Sequence, residues 1–175
     1  MLALMEALAA IQSFVASGGP ILYWIAALTF FMWTLIFERV WFYKGSLSKV
    51  KKATLDIWED RAERNSWNSR QIRYALINRA TQKINQNRDL IGVMVTLCPL
   101  LGLLGTVTGM IEVFNILAVT GGGDAKSMAA GVSRATIPTM AGMVAAISGV
   151  FGTTLVTRIA ERENHLVEDQ LTMDH

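Results

Sequence analysis

Residues 90–119 read LIGVMVTLCPLLGLLGTVTGMIEVFNILAV, and Glu112 is the only charged residue among them. A helix of this length would measure about 45 Å, whereas the hydrocarbon core of a bilayer is about 30 Å thick. The stretch therefore predicts a membrane-spanning helix, one end of which projects into water.

Two further apolar stretches lie before and after it. Residues 19–43 contain only the charged pair Glu38 and Arg39, and residues 127–157 contain only Arg134. Both stretches are long enough to cross a bilayer as helices. The sequence thus predicts an all-α integral membrane protein with three transmembrane helices.

The remaining segments are connections and ends. Residues 1–18 have apolar residues at helical spacing, which favours either an amphipathic helix on the membrane surface or an extension of the first span. Residues 44–89 predict two polar helices with a break at residues 65–69, and no separate globular domain. Residues 120–126 predict a hairpin loop, and residues 158–175 a solvated helix end.

The basic residues predict the orientation. Eleven of the 16 Lys and Arg residues fall within residues 44–89, whereas the hairpin has only Lys126. By the positive-inside rule, residues 44–89 and the tail lie in the cytoplasm, and the N-terminus and the hairpin lie in the periplasm. The basic segment contains no nucleic-acid-binding motif, so membrane lipid is the expected surrounding partner and nucleic acid is not.

Small residues mark one face of each of the last two spans. On a helical wheel, the predicted packing positions fall on these faces. They are Gly102, Gly105, Gly109, Gly131, Gly142 and Gly149. Small residues let membrane helices approach closely. Packing of the second span on the third accounts for part of this surface, and a self-assembled ring around a polar lumen would use the remainder.

Glu112 and Arg134 are equally far along the chain from Gly123 in the hairpin. Antiparallel helices would place them at similar depth, where an isolated charge is costly. We expect the two side chains to pair or to share one polar cavity. Either a static ion pair that fixes helix packing or an ion pathway fits this pattern.

Thr106 and Thr139 are also nearly symmetric about the hairpin. Their hydroxyls predict a polar belt, unless each bonds to a carbonyl of its own helix. Neither catalytic spacings, nor metal-ligand sets, nor cofactor motifs occur in the chain. The chain is therefore expected not to be an enzyme and to bind no cofactor.

Residues 99–115, PLLGLLGTVTGMIEVFN, resemble the second span of the ExbB–TolQ–MotA family. Residues 129–147, AAGVSRATIPTMAGMVAAI, resemble its third span, and Phe37-Glu38-Arg39 is similar to the end of its first. The short cytoplasmic loop resembles a compact ExbB more than TolQ. MotA, with four spans and a larger cytoplasmic part, is the poorer match.

The resemblance implies a motor of the bacterial inner membrane. Such a motor has a pentamer around a pore that holds ExbD-like single-span helices, and proton flow drives work on a TonB-like protein for uptake of iron siderophores or vitamin B12. Thr106 and Thr139 match the pore threonines of the family. The alternatives are a TolQ-like role in envelope integrity and a membrane scaffold without ion flow.

Arg134 departs from the family pattern, because ExbB and TolQ commonly have a glutamate on the third span. Arginine keeps its proton in proteins, so this side chain does not carry protons. The resemblance then implies that an acidic residue of the partner carries them, with Glu112 as a compensating group.

Overall fold

The computed structural model describes residues 5–6, 9, 18–60, 66–120 and 125–171. Most of residues 1–18 and the turn of the 120–126 hairpin lie outside this part, so the amphipathic N-terminus stays a prediction. Helices fill nearly all of the described ranges. The five helices are α1 (Gly19–Gly45), α2 (Leu47–Glu59), α3 (Trp67–Asn85), α4 (Arg88–Thr120) and α5 (Ala125–Gln170).

Three stretches are long and apolar enough to cross a membrane, namely Gly19–Gly45, Trp67–Val119 and Met128–Gln170. They contain the three apolar runs seen in the sequence. The all-α class with three membrane-spanning helices is therefore confirmed. Pro99 and Pro138 lie inside α4 and α5, and both helices continue through them.

Contacts within the chain divide it into two compact units. Unit 1 comprises Met1–Met32 and Val93–Val150, and unit 2 comprises Trp33–Gly92 and Phe151–His175.

In unit 1, α4 and α5 run antiparallel and in close contact. The Cys98 end of this contact meets Gly142, and the Val113 end meets Gly131. The first span packs on them through a buried cluster of small and branched residues. This cluster consists of Ile25, Cys98, Ala145 and Ala146, with Ile21, Leu28 and Leu101 partly buried around it. The shared feature of this contact is small residues on α4 and α5, which is what close helix approach requires.

Unit 2 has a hydrophobic core of its own, to which residues 44–89 contribute together with the last part of α5. Trp58 of α2 and Ile84 of α3 are buried together with Ala160, Val167 and Leu171. The polar segment alone supplies too few apolar side chains, and the last part of α5 completes the core. Residues 158–171 are therefore not merely a solvated helix end, because one side of that helix is packed.

The break between the two polar helices also differs from the prediction. The predicted break at residues 65–69 overlaps α3, because residues 67–69 already belong to this helix, whose first residue is Trp67. The reason is a helix cap, since the backbone N–H of Ser69 donates to the Ser66 hydroxyl at 3.3 Å. A serine at this position satisfies one of the free N–H groups of the first turn and starts the helix.

Arg39 and Tyr43 hold the C-terminal end of α3 in unit 2. Arg39 is 3% exposed and donates to the carbonyl of Lys83 at 3.4 Å, and the Tyr43 hydroxyl donates to the carbonyl of Ile84 at 2.9 Å. These carbonyls belong to the last turn of α3 and have no N–H partner within the helix. The next helix, α4, starts after Asn87, whose φ of 62° lies in the left-handed region that asparagine tolerates.

Replacing Arg39 by alanine is expected to destabilise unit 2 by about 1–3 kcal/mol, because the change removes a charged donor from a helix end. It also removes the contact of the guanidinium with the Phe42 ring, at 5.0 Å from its centroid. Chemical denaturation of the detergent-solubilised protein measures the effect. Lys83→Ala is the matched control, because its side chain is exposed and its backbone carbonyl stays. Equal losses in both variants would contradict this assignment.

Candidate ion-pathway site in the membrane spans

Glycines allow α4 and α5 to touch. A Cβ atom on Gly142 would lie 2.5 Å from the carbonyl oxygen of Cys98, and one on Gly109 would lie 2.7 Å from the Ala135 Cβ. A Cβ on Gly102 would lie 2.9 Å from the Cα of Thr139. Each of these distances is shorter than atoms tolerate, so any larger residue would push the helices apart.

The other three predicted packing glycines also lie in close contact with other residues of the chain. Gly105 lies against the ring of Pro138, Gly131 against Val113, and Gly149 against Met32 of α1. All six predicted glycines therefore contact other parts of the same chain. Packing within the chain thus accounts for these glycines, and a self-assembled ring that uses the rest of the two faces stays a prediction.

Glu112 and Arg134 lie on the same side of the α4–α5 contact. Glu112 stands three residues after Gly109 and one before Val113, and Arg134 has the same offsets from Gly131 and Ala135. On two antiparallel helices that touch at these positions, equal offsets place both side chains on one side and at similar depth.

One cavity of about 330 Å³ is lined by both Glu112 and Arg134. Both side chains are exposed, and within the part of the chain that the structure describes no ion pair within 4.0 Å joins either of them to another residue. Of the two predicted arrangements, the structure thus has the shared cavity rather than the direct pair. An open cavity that is lined by two opposite charges can hold water, and water is what a proton pathway needs.

The sequence analysis did not predict other residues that line this cavity, above all Thr108. Its hydroxyl lies near two carbonyls of its own helix, those of Leu104 at 3.0 Å and Gly105 at 3.1 Å. Thr108 precedes Glu112 by four residues, a spacing that places both on one helix face, so the signal was present in the sequence. Ile21 of α1 also lines the cavity, and only tertiary structure could have shown that.

The two predicted pore threonines differ in their bonding. Thr106 donates to the carbonyl of Leu103 in its own helix at 2.7 Å, whereas Thr139 donates across to the carbonyl of Gly102 at 3.0 Å. Each hydroxyl proton is thus engaged with a backbone carbonyl, and the oxygen lone pairs stay available as acceptors. The polar belt therefore stays a prediction.

Thr139→Val is expected to weaken the α4–α5 contact by about 0.5–2 kcal/mol, since it removes one hydrogen bond between membrane helices. Thr106→Val is the matched control, because it removes a hydroxyl of the same size that bonds only within its helix. Thermal unfolding in detergent compares the two variants. A larger loss in Thr106→Val would contradict the bonding described here.

Known proteins are similar to this chain along most of its length. An ExbB-like biopolymer transport protein from Synechocystis is 31% identical over 163 residues, which is 74% of this chain and 64% of that protein. Biopolymer transport protein exbB1 of Vibrio cholerae is 36% identical over 90 residues, or 51% of this chain and 40% of that protein. ExbB of Helicobacter pylori is 38% identical over 64 residues, or 37% and 44%.

The chain spans less than two thirds of the length of each of these relatives. The family described as the MotA/TolQ/ExbB proton channel family matches residues 42–169. This range includes α2 to α4, nearly all of α5, and every residue of α4 and α5 that lines the cavity. Because the match covers well over half of the 175 residues, the chain belongs to the MotA/TolQ/ExbB proton channel family.

Proposed function

We propose that this chain is the channel-forming subunit of an inner-membrane motor that energises a TonB-like protein for outer-membrane uptake of iron siderophores or vitamin B12. The chain is a multi-pass membrane protein of a proton-channel family. The observation that carries the proposal is the cavity in unit 1, which two opposite charges line without pairing with each other inside apolar spans. Ionisable residues at such positions commonly mark ion pathways.

The proposed motor needs a partner that can gain and lose protons. Arg134 keeps its proton, so a pathway past it requires a carboxyl group from elsewhere. Glu112 is one such group, and an acidic residue on an ExbD-like single-span helix is the other. In the proposed complex, a pentamer of this chain surrounds that partner, and Thr106 and Thr139 offer hydroxyl oxygens along the way.

The proposed orientation has the N-terminus in the periplasm and the C-terminus in the cytoplasm. Its support is the concentration of basic residues in residues 44–89, since positively charged loops stay on the cytoplasmic side. The 120–126 hairpin, whose only basic residue is Lys126, would then face the periplasm.

Two other functions are compatible with the same family. A TolQ-like subunit would use the same ion flow for envelope integrity rather than for nutrient uptake. A scaffold without ion flow would use Glu112 and Arg134 only to hold subunits together. The names of the relatives, which are biopolymer transport proteins of the ExbB type, favour the first proposal over both.

Growth of a deletion strain on ferric siderophores under iron limitation tests the proposal, with detergent sensitivity scored beside it. We expect growth to be lost, the envelope to stay intact, and the wild-type chain to restore growth. Normal iron-limited growth with a detergent-sensitive envelope would instead favour the TolQ-like function.

Complementation with Glu112→Gln then separates a motor from a scaffold. Asp56→Asn is the matched control, because it removes a carboxylate from an exposed position of α2 outside the membrane spans. We expect Glu112→Gln to fail in uptake, whereas Asp56→Asn restores growth. Full uptake by an assembled Glu112→Gln variant would argue against an ion pathway through this residue.

A further inference from the structure

Each copy of the chain presents two opposite charges that its described residues do not neutralise. Glu112 and Arg134 are both exposed on membrane-spanning helices, and neither takes part in an ion pair within the described ranges. An unpaired charge inside a bilayer costs several kcal/mol, so such residues normally meet an opposite charge or water. We therefore expect part of the neutralising charge to come from outside the residues that the structure describes.

Because Glu112 and Arg134 carry opposite charges, a partner that neutralises both must itself carry a negative and a positive charge. A single-span helix with an acidic side chain could neutralise Arg134, but it would leave Glu112 without a counter-charge. A second copy of this chain supplies both signs at once. We propose that Glu112 of one copy pairs with Arg134 of the neighbouring copy. This inference rests on the proposed self-assembly, but it does not depend on ion flow or on any uptake function.

The depths of the two residues fit such a pair. Gly109 touches Ala135 and Val113 touches Gly131, so the residues between these contacts lie at one level of the α4–α5 pair. Copies inserted in the same membrane share one orientation, and each therefore presents both charges at that level. Glu112 lies on α4 and Arg134 on α5. In a ring in which α4 of one copy lies beside α5 of the next, Glu112 of the first meets Arg134 of the second, and closure leaves neither charge unpaired.

Charge reversal with mixing tests the pairing. A Glu112→Arg chain carries two positive charges at this level, and an Arg134→Glu chain carries two negative charges. We expect each chain alone to lose the oligomer. When the two chains are co-expressed with different tags, the tags should co-purify, because each contact between a positive and a negative copy pairs opposite charges. A ring of five cannot alternate completely, so co-purification of the two tags is the readout rather than the number of copies. Native mass spectrometry or light scattering in detergent measures the assembly.

The doubly reversed chain, Glu112→Arg with Arg134→Glu, distinguishes pairing between copies from pairing within one copy. We expect it to assemble on its own under either arrangement. If it assembles while the tags of the mixed single variants do not co-purify, the pair forms within one chain and the inference is overturned. A wild-type chain that stays monomeric would overturn the self-assembly itself, and the pairing with it.

Cysteine cross-linking provides a second measurement, which does not use the charge-reversed variants. In a Cys98→Ala background, Glu112→Cys and Arg134→Cys are placed in separately tagged chains and oxidised in membranes. We expect a disulfide-linked dimer that carries both tags. Glu112→Cys with Met140→Cys is the control, because Met140 is exposed but lies nearly two turns away from Arg134 on α5. Co-purifying chains without a 112–134 cross-link would overturn the inference.

Discussion

Gly142→Ala is expected to reduce the amount of correctly packed protein more than other alanine substitutions in the spans. The added Cβ would lie 2.5 Å from the carbonyl oxygen of Cys98 and 3.2 Å from the Cα of Gly102. Both are backbone atoms, so no flexible side chain can move aside and the two helices must separate. Overpacking of this kind costs about 1–3 kcal/mol, and the backbone contact places Gly142 at the upper end.

Gly92→Ala is the matched control for this substitution. Gly92 lies inside a helix as well, in α4, but a Cβ there would meet nothing within 4 Å. Alanine favours helix by up to about 1 kcal/mol over glycine, so this variant should be as stable as the wild type or slightly more so. Thermal unfolding of both variants in detergent makes the comparison. A Gly142→Ala variant as stable as Gly92→Ala would show that the Cys98–Gly142 approach is not as close as described.

The sequence predicts the membrane-spanning part well because its signals are local. A run of apolar residues predicts a membrane-spanning helix, and glycines that recur on one helix face predict a close helix contact. Gly109 and Gly131 could be assigned to packing for this reason. The equal distances of Glu112 and Arg134 from the hairpin likewise predict a common depth. Because the rise per residue of a helix is constant, equal numbers of residues on two antiparallel helices span equal heights.

The rest depended on contacts between residues that are distant in the chain. Val167 and Leu171 pack in a core with residues of α3. No local pattern in the polar tail predicts this packing. The bond of Thr139 to Gly102 also depends on how the two helices face each other, whereas Thr106, in a similar sequence setting, bonds within its own helix. The contact of Gly149 with Met32 of α1 likewise depends on the tertiary arrangement of the first span.

Removing the charge of Glu112 or of Arg134 alone is expected to cause the largest functional loss in the chain. Either change leaves the charge of the other residue without an opposite charge inside a membrane span. An uncompensated charge there costs a few kcal/mol. Glu112→Gln would leave the positive charge of Arg134 facing the cavity, and Arg134→Gln would leave the carboxylate. We expect at least a tenfold loss of siderophore-dependent uptake in each single variant, since 1.4 kcal/mol already corresponds to a factor of ten.

The double variant, Glu112→Gln with Arg134→Gln, decides whether the two charges act together. If they neutralise each other, within one copy or between neighbours, the second substitution removes the charge that the first one left uncompensated. The double variant should then lose no more uptake than either single variant. Two independent roles would instead give losses that multiply, because free-energy changes at uncoupled sites add.

Assembly and uptake have to be measured on the same three variants, since a pairing role and a proton-carrying role differ in this comparison. If Glu112 only balances Arg134, the double variant should recover both oligomer and uptake. If Glu112 also carries protons, the double variant should recover the oligomer but not uptake, because glutamine cannot exchange a proton at this position. Recovery of assembly without recovery of uptake is the result that the proposed motor function predicts.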